Sequence, residues 1–158
     1  MQQDDPATVG EVQQAATTIR KAMVQVNELT SNGTPGPADY NQMVRWINTK
    51  EEHACKIITT VAEYCLCQRV KKDVFATEKE FTDAVMAHHA VMVAAMKCKQ
   101  SVDTATVDNL ETAIALFAKM YLPSSKWGSD EVADVEGGGV PFSKLWDGWW
   151  RRMEDTIL

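Results

Sequence analysis

Three histidines and four cysteines carry the widest chemical repertoire in this sequence, as metal ligands, nucleophiles or proton carriers. His53, Cys55, Cys65 and Cys67 crowd into one stretch, and His88, His89 and Cys98 follow. A tight metal site needs ligands converging on one point about 2.0–2.3 Å away. On a helix that convergence comes from positions three or four apart. His53-x-Cys55 and Cys65-x-Cys67 are two apart, so within each pair the side chains diverge by roughly 200°. No CxxC, HExxH or CxxCH motif is present. The spacing therefore predicts packed, reduced thiols, with no metal, haem or other cofactor. His88 shares a stripe with Phe81, Ala84, Val91, Ala95 and Cys98 and reads as a core or interface histidine. A pH-sensitive or metal-binding pair with His89 is the alternative.

The other reactive groups offer less. Glu51-Glu52, Glu78/Glu80 and Asp130-Glu131 lie at predicted helix starts or in an acidic loop, where carboxylates complement the helix dipole. No nucleophile elbow, P-loop or dinucleotide fingerprint occurs. No catalytic residue is predicted, and the expectation is of a protein that is not an enzyme. Arg69, Lys71 and Lys72 close one predicted helix, and Lys97 and Lys99 close another. Side by side, those five cations would make a phosphate-binding patch. On their own they are what helix C-termini attract.

Four of five tryptophans, Trp127, Trp146, Trp149 and Trp150, fall near the end of the chain. Trp146, Trp149, Trp150 and Met153 share one side of a predicted helix beside Arg151 and Arg152, residue types that dominate binding interfaces. This helix either completes the protein's own core or docks on another subunit or partner. Asp147, Glu154 and Asp155 argue against insertion into a membrane surface.

The elements that must position these residues are helices. Asp5 is placed to cap a first helix with Pro6 at its first position, followed by a stripe of Val9, Val12, Ala16, Ile19, Met23 and Val26. Ser31-Asn32-Gly33-Thr34-Pro35-Gly36-Pro37 ends it. A second helical region opens at Asp39, with Gln42 as a capping-box partner, and buries Tyr40, Met43, Val44, Ile47, Ala54, Ile57, Ile58, Val61, Cys65, Leu66 and Val70. Thr49 and Glu52 form a second box, so a break or kink is expected over 48–52. Thr77 and Glu80 start a third helix that is apolar on nearly every face between Ala84 and Met96, which predicts a central position. Val107, Leu110, Ile114, Phe117 and Tyr121 mark a fourth, ended by Pro123.

A chain of 158 residues with 45% apolar side chains suits a single globular core held without disulfides or metal. The net charge of −6 lowers the prospect of nucleic-acid binding. Much of it resides after Gly128, where Lys144, Arg151 and Arg152 face seven acidic residues. Neither a signal peptide nor a run of about 18 apolar residues is visible, so a cytoplasmic location is expected. The sequence thus predicts an all-α antiparallel bundle of four to six helices. Residues 1–127 form its core, and 128–158 an acidic Gly-rich linker with a tethered Trp-rich helix. The expected function is non-enzymatic: an assembly subunit, adaptor or inhibitor, including one of viral origin, acting through a protein partner or self-association. The alternatives are a nucleic-acid-associated protein and a small helical enzyme or metal/cofactor carrier.

Overall fold

The computed structural model describes residues 4–31 and 33–122. Residues 128–158, over which an acidic linker and a Trp-rich helix are expected, lie outside the described residues. Among the described residues every regular element is helical: α1 (Pro6–Ser31), α2 (Pro37–Thr59), a π-helical continuation (Thr60–Arg69), a 3₁₀ turn (Lys72–Val74), α3 (Glu78–Gln100) and α4 (Thr104–Ala118). None is long and apolar enough to cross a membrane.

The four α-helices form an antiparallel ring in which α1 packs on α2, α2 on α3, α3 on α4, and α4 back on α1. Cross-helix pairs fix the directions. Glu11 meets Lys56 and Lys21 lies over the Trp46 ring, while Arg20 forks onto Glu111 and Asp108. The start of α1 and the end of α4 are tied by the Asp5 N–H donating to the Tyr121 carbonyl at 2.8 Å.

The stripe predicted for α1 is buried at all six positions, as are Val107, Leu110, Ile114, Phe117 and Tyr121. Fully burying one large apolar side chain is worth about 1.5–3 kcal/mol, so these rows form the seam that holds the ring. Asp5 caps α1 through the Thr8 N–H at 3.1 Å.

Three expectations are corrected. The second helix starts at Pro37, not Asp39. Pro suits the first helical turn, and Asp39 accepts from the Gly36 N–H instead of acting as the cap. There is no break over 48–52, because the Thr49 hydroxyl bonds back to the Arg45 carbonyl, an interior arrangement. Finally, α3 is not central. It is one side of the ring, flanked by α2 and α4, with Met96 and His89 outward.

Along α2, Tyr40, Val44 and Ile47 are exposed although their spacing is that of a core face. The buried face is carried instead by Lys50, Ala54 and Ile57. Lys50 is only 2% exposed. Its Nζ donates to the Cys98 and Lys99 carbonyls at 2.7 and 2.6 Å and to Glu51 at 2.8 Å. A cation on the last carbonyls of α3 satisfies orphan acceptors and the negative end of the dipole.

Candidate functional site

The densest set of chemically capable side chains gathers where α1 begins, α4 ends and the π-helix faces both. A π-helix bonds residues five apart, here with Val70 N–H donating to the Cys65 carbonyl. That period stacks Tyr64 and Arg69 on one side, and the Arg69 guanidinium donates to the Tyr64 hydroxyl at 2.8 Å. In an α-helix the same two residues would point about 140° apart. π-Helical turns occur frequently at functional sites.

Arg69 also donates to Asp5 Oδ2 at 2.5 Å, and Tyr64 donates to the same oxygen at 2.8 Å. The guanidinium lies over both the Tyr64 and Tyr121 rings. Burial by itself would raise the Asp5 carboxyl. The Thr8 N–H, the Tyr64 and Thr8 hydroxyls and the Arg69 charge outweigh it and hold the group below its ordinary 3.8.

Beneath this surface lie Cys65, Tyr121 and His88, each fully buried. His88 Nδ1 is 2.7 Å from the Ala84 carbonyl, which can only accept, so Nδ1 carries the proton. Burial lowers the His88 pKa and keeps the ring neutral. Nε2 is then the acceptor for the Tyr121 hydroxyl at 2.6 Å. Burial pushes the Cys65 thiol up to about 11, so it stays protonated. The arrangement holds protons in one direction, from phenol to imidazole to backbone. Phe117 closes the side of it, edge-on to His88.

The residues singled out by spacing fare differently. His53 turns Nδ1 onto the Thr49 carbonyl at 2.8 Å. His89 is exposed while its neighbour His88 is buried, so they form no pair. Cys65 and Cys98 are packed as expected, but Cys55 and Cys67 are exposed, correcting the expectation of four packed thiols. Lys99 reaches Cys55 Sγ at 3.1 Å and Glu51 at 3.7 Å. The five cations do not meet. Lys72 contacts Glu78 at the first residue of α3, whereas Lys97 and Lys99 sit in its last turn, on the order of 30 Å away. Arg69 is committed to Asp5. Trp146, Trp149, Trp150, Arg151, Arg152 and Met153 lie outside the described residues.

Sequence spacing could not have assembled Asp5, Tyr64, Arg69, His88 and Tyr121. Each belongs to a different element except Tyr64 and Arg69, whose separation of five is not an α-helical neighbour distance. The available signals were local ones, the Asp5 cap and the apolar stripes that carry His88 and Tyr121.

The protein-family model for nickel-containing superoxide dismutase matches residues 4–125, the whole ring of helices. No curated protein and no solved structure matches. The match overturns the expectation of a non-enzymatic assembly subunit, adaptor or inhibitor, because the family is one of oxidoreductases. The sequence reading asked for a short ligand signature, whereas the likeness extends along the packed helices. Nickel is suited by imidazole, and softer metal sites by thiolate. All seven His and Cys side chains of the chain are among the described residues, where no three or more His, Cys, Asp or Glu side chains group to hold a metal. The donor set therefore does not fit nickel.

Proposed function

Since the chain belongs to the nickel-containing superoxide dismutase family, we propose that it acts on superoxide, disproportionating two superoxide anions and two protons into dioxygen and hydrogen peroxide. The match over residues 4–125 carries this proposal, because it takes in all four helices and both ends of the Asp5–Tyr121 closure. The chain's own contribution is a ring of helices with a buried Tyr121–His88 hydrogen bond and the buried Cys65 thiol beneath the Asp5–Arg69 pair. Burial and hydrogen bonding fix these groups before any reactant arrives, which is what preorganised polar sites require.

The test is superoxide consumption by the purified full chain, incubated with nickel chloride or with a chelator, against a competing superoxide indicator. The expected result is consumption that saturates with protein and is lost on heat unfolding. Consumption no faster than with unfolded protein, with and without nickel, ends the proposal.

A further inference from the structure

We infer that none of the cysteines or histidines of this chain is a nickel ligand, so that nickel bound by it is held without thiolate or imidazole. This rests on the family reading just given and on where each sulfur and ring nitrogen lies.

Cys65 and Cys98 are both fully buried, on different helices. Metal binding needs thiolate, and burial pushes both thiols the opposite way, up to about 11. His88 has both ring nitrogens engaged, at 2.7 and 2.6 Å, inside the core. Cys55 is exposed, and the Lys99 ammonium 3.1 Å from its sulfur sets a like charge beside any incoming cation. His53 holds the Thr49 carbonyl through Nδ1 alone, and its Nε2, like Cys67 and His89, stands outside any group of three or more donors among the described residues. No two of these seven share a hydrogen bond, and no acidic side chain joins any of them in a group of three among the described residues. The chain thus keeps a family scaffold whose sulfur and imidazole donors are either buried in the core or scattered singly over the surface.

The test uses the full chain. Nickel chloride is titrated, bound nickel is counted by elemental analysis after gel filtration, and thiols are timed with a disulfide reagent. The expected result is that Cys55 and Cys67 react quickly, Cys65 and Cys98 only on unfolding, and nickel changes neither rate. A combined His53→Gln, Cys55→Ser, Cys67→Ser and His89→Gln variant, altered mainly at the surface, should bind as much nickel as the wild type, whether that amount is some or none. Even outer-shell changes at a metal site cost roughly 10–100-fold in affinity, so a true ligand among the four would show. Thiolate-to-nickel absorption, thiol protection by nickel, broadened His88 ring resonances, or nickel lost from the variant would each overturn the inference.

Superoxide consumption on the same samples separates the two proposals. Nickel and activity lost together from the variant would overturn the inference and leave the dismutase reading intact. Thiols indifferent to nickel in a wild-type chain that consumes no superoxide would end the dismutase reading and support the inference.

Discussion

His88 shows how a residue chosen for possible chemistry is held by packing. Its neutral state in the core is imposed by burial, which lowers its pKa below the ordinary 6.5, whereas the unfolded chain leaves the ring free to take up a proton. Between those two values the unfolded state binds more protons, so stability is complete above about pH 6.5 and declines as the pH falls below it. Thermal unfolding of the wild type should therefore shift to lower temperature between pH 7 and 5. In His88→Leu that slope should flatten, with a fixed cost of about 1–3 kcal/mol for the lost bond from the Tyr121 hydroxyl. An unchanged slope in the variant would show that another group titrates. The sequence placed His88 on the buried stripe. Its partner Tyr121 lies 33 residues away, and no periodicity links them.

At the scale of elements, local rules were readable and longer-range ones were not. The Asp5 cap, the Thr77–Glu80 start and the α1 and α4 stripes follow from side chains within one or two turns. The π-helix does not, since the same residues would satisfy an α-helical pattern and only tertiary partners at Asp5 and Tyr121 distinguish five-apart from four-apart stacking. Thr49 misled because its capping chemistry can equally be used inside a helix. Lys50 was invisible for the same reason, being a charged residue whose partners belong to α3. Lys50→Met should keep the apolar stem and lose the cation on the carbonyls of Cys98 and Lys99. The expected cost is about 1.5–3 kcal/mol, the range for hydrogen bonds to charged groups. Denaturant unfolding measures it, and faster amide exchange confined to the last turn of α3 would locate it. A loss below half a kcal/mol would mean water replaces the ammonium.

Taken whole, the described chain is a ring of four helices whose all-α class was legible from the three-and-four rhythm of apolar residues, while its family was not. The same rhythm overreached on α2, where Tyr40, Val44 and Ile47 are exposed at core-like spacing. Substituting these three with Gln should leave unfolding within about 0.5 kcal/mol per site, as at ordinary surface positions. Ile57→Ala, at 1% exposure, should cost about 2–5 kcal/mol. Comparable losses at the two places would mean the outer face is covered in the working protein. One contact ties the ring's two ends together, the Asp5 amide on the Tyr121 carbonyl. This proton is shielded only while the first and last helices stand together, whatever the state of the rest. Its exchange with deuterium therefore times, at one atom, how often the ring comes apart at that joint.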